Sequence, residues 1–289
     1  MRLVYLGTPE AAVGPLRALV AAGHEVMLVV SQPDRKRGRG GALIASPVKA
    51  AANELGLPVT DLVNDVFGAT RAGAELGVVV AFGKLIKPDL LAALPFVNLH
   101  FSLLPRWRGA APVERAFLAG EAETGVCLMA LEAGLDTGPV YRQTATPIDP
   151  DETVGALRNR LVAIGTTMLI TALAEGLGEP HPQQGEPTYA AKLQPEEFII
   201  DWTHSAVDVH RLVLLGSAWT TFRQKRVKIL RARPVDGIAG PPGTLGGVVV
   251  ATGLGGLELL DVQPEGKPTQ AAAAWRNGAR PTHNERMGP

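Results

Sequence analysis

Asn98 and His100 stand two residues apart in the run V-N-L-H-F-S-L-L-P-R-W-R-G-A-A-P-V, residues 97–113. On a β-strand that spacing sends both polar side chains to one face and Leu99 to the other. A hydrogen-bond donor and a proton-transfer group are thereby aimed at one point. Behind them Pro105 removes a ladder donor and Gly109 permits dihedrals that other residues avoid, so the strand must open into a loop. A polar pair at the C-terminal end of a strand is where open α/β sheets place ligands. The structural alternative is a buried histidine satisfied by local backbone. A second segment, Gly134-Leu135-Asp136-Thr137-Gly138, holds an acid between glycines that let backbone approach a ligand closely, although an Asp in such a turn can also cap its own backbone.

The elements that must position these groups follow from hydrophobic patterning. Leu3–Gly7 is a short apolar run ending in glycine. Thr8-Pro9-Glu10 then suits an N-cap, a first-turn proline and an acid, for a helix running to about Ala22 with Gly23 closing it. His24–Val30, Gly77–Phe82 and Phe96–His100 read as buried strands, with helices over 47–55, 64–74 and part of 83–94 between them. Strands alternating with helices predict a doubly wound, mostly parallel sheet of Rossmann-like type. The first turn, G-T-P-E, has one glycine where a dinucleotide fingerprint needs three, which argues against an NAD site. Strands over 124–131 and 140–146 flank the Asp136 turn, and Val154, Leu157, Leu161, Ile164 and Met168 form the core stripe of a long helix.

The 289 residues are 46% hydrophobic, enough for two domains. We expect a catalytic domain over residues 1–176, a linker over 177–200 and a small β-barrel of oligonucleotide-binding (OB) type over 201–289. Residues 176–198 carry four Pro and three Gly and read as extended, and the end of the chain from about Asn277 is expected to fray. Formal charge is zero overall, but residues 201–289 hold 11 Lys and Arg against 7 Asp and Glu, while residues 1–200 hold 17 against 21. Two basic clusters stand out. One is Arg35, Lys36, Arg37 and Arg39 in a glycine-rich loop; the other is Arg223, Lys225, Arg226, Lys228, Arg231 and Arg233. Each suits phosphate contact, and each is equally a solvated face. Cys127 is the only cysteine, which rules out an intrachain disulfide and a multi-cysteine metal site. With no apolar run long enough to cross a membrane and no secretory h-region, a soluble cytoplasmic protein is expected.

Seven motifs together, G-T-P-E at 7–10, Q-P-D-R at 32–35, G-R-G at 38–40, S-P-V-K at 46–49, N-L-H-F-S-L-L-P-R-W-R-G-A-A-P at 98–112, G-L-D-T-G at 134–138 and I-D-W at 200–202, closely resemble the methionyl-tRNA formyltransferase family across nearly the whole chain. The resemblance implies transfer of a formyl group from 10-formyltetrahydrofolate, a consumed cosubstrate, to the α-amino group of methionine esterified to initiator tRNA. It implies Asn98, His100 and Asp136 as the catalytic trio. The folate would be contacted by Ser102, Leu103, Leu104 and Pro105 and by Val79, Val80, Ala81, Phe82 and Leu85. The loop around Arg39 would enter the tRNA acceptor stem. Gly41-Ala42 departs from the lysines common there, and Ser217–Thr220 from a proline-flanked tryptophan.

That chemistry agrees with the residues themselves. Attack by an amine turns the formyl oxygen into an alkoxide and makes the nitrogen acidic, so the site needs a donor and a proton acceptor. Asn98 and a protonated His100 can donate to the oxygen, and Asp136 within reach would favour the imidazolium. No metal is required. We expect a monomer. The alternatives are another 10-formyltetrahydrofolate enzyme, acting on a sugar amine or as a formyltetrahydrofolate hydrolase, and a non-catalytic tRNA-binding protein.

Overall fold

Arg2–Gly7 (β1) carries five inward residues from Leu3 onward with no polar face, the pattern of a strand covered on both sides. The computed structural model describes residues 1–37, 41–236, 240–282 and 285–288, with the side chains of residues 36, 37 and 42 left aside. Two units result. The first comprises Met1–Val113, Glu123–Pro147 and Leu157–Ala191, and the second Glu114–Ala122, Ile148–Ala156 and Lys192–Pro289.

In the first unit β1 pairs in parallel with β2 (Glu25–Val30) on one side, and β2 with the later two-residue strand Val59–Thr60. A hairpin of β3 (Arg35–Arg37) and β4 (Ala42–Ile44) precedes that strand, which is β5. On the other side β1 pairs with β6 (Leu76–Val80), β6 with β7 (Phe96–His100), and β7 antiparallel with the later strand Glu123–Ala130, which in turn pairs with Val140–Pro147. A short β8 (Arg108–Gly109) precedes those two, so they are β9 and β10, and Tyr189–Ala190 is β11. The order β10-β9-β7-β6-β1-β2-β5 is a doubly wound, parallel-rich sheet with an antiparallel edge. Its topological switch lies between β1 and β6, where such sheets place ligands.

Helices α1 (Val13–Ala21), α2 (Pro47–Glu54), α3 (Val66–Arg71), α4 (Pro88–Ala93), α5 (Pro112–Leu118) and α6 (Val154–Glu175) follow the strands. Ser46 caps α2, its hydroxyl accepting from Lys49 N at 3.1 Å. The Thr8 cap is not formed. A 3-10 turn at Glu10–Ala12 precedes α1, and the Thr8 hydroxyl instead donates to Phe82 O at 3.2 Å, a tertiary partner at the switch point. The helix expected over 64–74 divides into a 3-10 turn at Val63–Asp65 and α3, and 83–94 is helical only from Pro88. α6 presses closely on the sheet because residue 165 is glycine: a Cβ there would meet Val126 Cγ1 at 3.0 Å and Leu99 Cδ1 at 3.5 Å.

The second unit holds α7 (Ala206–Leu214) and a six-stranded antiparallel sheet of β12 (Trp219–Phe222), β13 (Lys225–Val235), β14 (Leu245–Gly246), β15 (Val249–Ala251), β16 (Gly256–Pro264) and β17 (Gln270–Ala271), followed by α8 (Ala272–Ala279). The run 244–251 read as one strand is two, turning at Gly247, whose φ is +68°. Its core gathers Trp202, Val213, Phe222, Ile229, Leu259 and Trp275. The terminal stretch does not fray where it is described. Met287 is 2% exposed within that core, Leu245 N donates to Glu285 O at 2.9 Å, and Arg223 grips the Glu285 carboxylate at 2.6 and 2.9 Å. The stretch 176–198 is largely without helix but pinned, and it ends in a 3-10 turn at Pro195–Phe198: His181 exchanges backbone hydrogen bonds with Val140, and β11 pairs in parallel with β8. No helix among the described residues is long and apolar enough to cross a membrane.

Candidate active site

β7 ends in the expected pair. Asn98 and His100 share a face of the strand by alternation and are 8% and 5% exposed, while Leu99 points to α6. The carboxamide of Asn98 has no hydrogen-bond partner among the described residues, which leaves both its donor hydrogens available.

His100 Nε2 lies 2.9 Å from the carbonyl oxygen of Trp107. A carbonyl only accepts, so Nε2 carries the hydrogen and Nδ1 of the neutral ring is the free base. Asp136 Oδ2 sits 3.6 Å from that Nδ1 and accepts from Gly109 N at 2.8 Å. The sequence expectation was an imidazolium sustained by Asp136. The balance runs the other way: burial pushes the ring below its ordinary value of 6.5, Asp136 and the Trp107 carbonyl oppose this, and Arg108 adds to the lowering. A buried ring is costly to charge, and a carboxylate 3.6 Å away with its own backbone hydrogen bond does not offset that cost.

The loop bearing these contacts is held by one local bond and two tertiary ones. Ser102 Oγ donates to Arg106 O at 2.6 Å, Leu104 N to Cys127 Sγ at 3.4 Å, and Trp107 N to Thr188 Oγ1 at 2.9 Å. Gly109 has φ +121°, and a Cβ there would lie 2.9 Å from Ala190 O, so only glycine allows β8 to meet β11. Burial pushes the Cys127 thiol up to about 11, which removes it as a nucleophile at neutral pH.

Of the folate set, Ser102, Leu104 and Pro105 are buried, with Leu103 partly so. Val79, Val80 and Phe82 are also buried, Val79 and Phe82 in a core cluster with Val4, Leu6 and Ile86. Ala81, at φ +47°, and Leu85 are exposed. Thr8 Oγ1 and Gln32 Nε2 both donate to Phe82 O at 3.2 Å, binding together the ends of β1, β2 and β6.

Among the basic residues, Arg35 is exposed beside Asp34, whose carboxylate is taken by Lys49 at 2.8 Å. Lys36 and Arg37 lie in the backbone of the β3–β4 hairpin, and Arg39 falls outside the described residues. The second cluster divides by pairing. Arg223 is held by Glu285, Arg231 by Asp261 at 2.9 Å and Arg233 by Glu258 at 2.5 Å. Lys225, Arg226 and Lys228 are exposed and their side chains form no ion pair among the described residues; Arg226 N donates to Glu265 Oε2 at 3.1 Å, and the Arg226 guanidinium lies 4.1 Å from the centre of the Trp219 ring. Arg226 and Lys228 share the outer face of β13, opposite Val227 and Ile229.

Sequence reasoning missed Gln183 and Thr188. Both sit in the stretch read as linker, and nothing in the local pattern announces their tertiary bonds. No group of three metal-ligating side chains occurs among the described residues.

The fold and site define an α/β protein of two units: a doubly wound sheet with Asn98 and His100 buried at a strand end and Asp136 close to the ring, and a separate antiparallel unit. The family profile described as Formyl transferase matches residues 1–173, and that described as Formyl transferase, C-terminal domain, matches residues 192–280. The chain is 47% identical to a methionyl-tRNA formyltransferase of Roseobacter denitrificans, covering 96% of each chain, and 45% identical to one of Thermus thermophilus, covering 100% of this chain and 99% of that one. HypX from Aquifex aeolicus, solved with tetrahydrofolic acid, shares the fold with a TM-score of 0.65 at 17% identity, over 99% of this chain and 48% of that one. The chain belongs to the methionyl-tRNA formyltransferase family.

Proposed function

We propose that this enzyme transfers the formyl group of 10-formyltetrahydrofolate to the α-amino group of methionine carried by initiator tRNA. The observation that carries the reading is the meeting of His100 Nδ1 with Asp136 Oδ2 beside an unpartnered Asn98 carboxamide, in a chain of this family. The proposed course begins with the neutral amine adding to the formyl carbon, which makes a C–N bond and leaves the oxygen as an alkoxide. Asn98 donates to that oxygen. The now acidic nitrogen gives its proton to His100 Nδ1, with Asp136 sharing the new positive charge, and the imidazolium then also faces the alkoxide. When the carbonyl re-forms, the bond to the folate N10 breaks and that nitrogen takes up the proton. The products are the formylated amine and tetrahydrofolate.

The pterin is proposed to lie against the backbone of Val79–Phe82, with Leu85, 76% exposed, as an apolar cover, and against the turn Ser102–Pro105. Burial of most of these side chains favours contact through main-chain donors and acceptors. Lys225, Arg226 and Lys228, with Arg35, Lys36, Arg37 and Arg39, are proposed to hold tRNA phosphates, and Arg223 to brace the C-terminal stretch. The proposed setting is the cytoplasm, with the enzyme acting as a monomer.

The test is formyl transfer by purified protein from labelled 10-formyltetrahydrofolate to charged initiator tRNA. Label recovered in N-formylmethionine is expected. Label in a nucleotide-sugar amine, or released as free formate with the tRNA unmodified, would replace this reading with one of the other folate enzymes.

A further inference from the structure

We infer that Gln183 is the positioning residue for Asp136, a reading that rests on the catalytic role proposed above. Gln183 Nε2 donates to the backbone oxygens of Asp136 and Gly138, each at 2.8 Å, and its Oε1 accepts from Arg108 Nε at 3.1 Å and Nη2 at 2.7 Å. The orientation of the amide is unambiguous, because a guanidinium only donates and a backbone carbonyl only accepts. Both hydrogens and both lone pairs of the side chain are therefore in use.

What this holds is a strained turn. Asp136 has φ +50°, a left-handed conformation that residues other than glycine adopt at a cost. The two carbonyls bound by Gln183 flank the turn, while its carboxylate is received by Gly109 N at the neighbouring loop. Arg108 is the residue just before that donor, and its guanidinium field also reaches His100. One amide thus joins the backbone of the acid to the loop that accepts the His100 ring.

Gln183 is itself fixed on both sides. His181 exchanges hydrogen bonds with Val140 at 2.8 Å, and Thr188 receives Trp107 N and Arg108 N at 2.9 Å. A glutamate at 183 would keep the Arg108 contact and lose both donated bonds. An alanine would lose all four.

Gln183→Ala, Gln183→Glu, Asp136→Asn and the double variant Gln183→Ala/Asp136→Asn are to be assayed for formyl transfer to charged initiator tRNA, with melting temperatures alongside. Each Gln183 variant should lower kcat about tenfold with KM for both substrates within about twofold, and in the Asp136→Asn background Gln183→Ala should cost less than about twofold. Equal losses in both backgrounds, or unchanged kcat in the Gln183 variants while Asp136→Asn is impaired, overturn the inference alone. Near-normal turnover by Asp136→Asn overturns the catalytic reading of Asp136 and this inference with it. If Gln183→Ala does not fold, Gln183→Glu in the same two backgrounds carries the comparison.

Discussion

His100 Nδ1 and Asp136 Oδ2 stand 3.6 Å apart, too far for a direct hydrogen bond and close enough for each to feel the other's charge. With the ring hydrogen committed to Trp107 O, His100 Nδ1 is left as an acceptor 3.6 Å from Asp136 Oδ2, which itself accepts from Gly109 N. That arrangement is matched to a group that arrives carrying a proton to give up.

The first prediction concerns that ring. Followed by NMR of its C–H resonances, His100 should titrate below 6.5, because burial outweighs the Asp136 carboxylate. Asp136→Asn removes the largest upward influence and should move the midpoint lower still. Below the midpoint Nδ1 is already protonated, so turnover falls as pH drops through it. The folded value is the depressed one, so the unfolded chain binds more protons; the ring's contribution to stability is complete above 6.5 and is lost as pH falls toward the folded value. A wild-type midpoint above 6.5 would restore the imidazolium expectation.

Asn98→Ala should lower kcat by roughly a hundredfold or more, about 3 kcal/mol of lost oxyanion stabilisation. Folate binding and the melting temperature should hold, because the carboxamide supports no other described group. A large fall in melting temperature with kcat preserved would make Asn98 a structural residue.

Pairing separates the basic residues of β13. Lys228→Ala should reduce the slope of log affinity for tRNA against log salt by about 1, since an unpaired cation releases about one counterion on contact. Arg233→Ala should change the slope far less, its charge being already offset by Glu258. Similar slopes for the two variants would show that the tRNA does not meet this face.

Gly77 is predicted to be irreplaceable for packing. It lies opposite Phe96 in the β6–β7 ladder, and a Cβ there would land within the Phe96 ring. Gly77→Ala should destabilise the fold by roughly 1–3 kcal/mol, measured by denaturant midpoint, the usual cost of overpacking a buried site. An unchanged midpoint would mean that the ring can move aside.

The layout of the candidate site is partly legible in the sequence. The period-two placement of Asn98 and His100 dictated their common face, and apolar runs of strand length dictated β1, β6 and β7, because those properties depend only on near neighbours in the chain. Local signals failed where a side chain found a distant partner. Thr8 suited a cap and bonds Phe82 instead, and the terminal residues expected to fray are drawn in by Arg223 and the Met287 pocket.

By itself, then, the order of residues determined the alternation of strands and helices, the polar pair at the end of one strand, the glycines around Asp136 and the family resemblance. Only the tertiary structure decided the hydrogen on His100 Nε2, the direction in which that ring titrates, the grip of Gln183 on the acid, and which cations of β13 are already neutralised. Burial and long-range hydrogen bonds set those properties, and both depend on segments that meet only after folding.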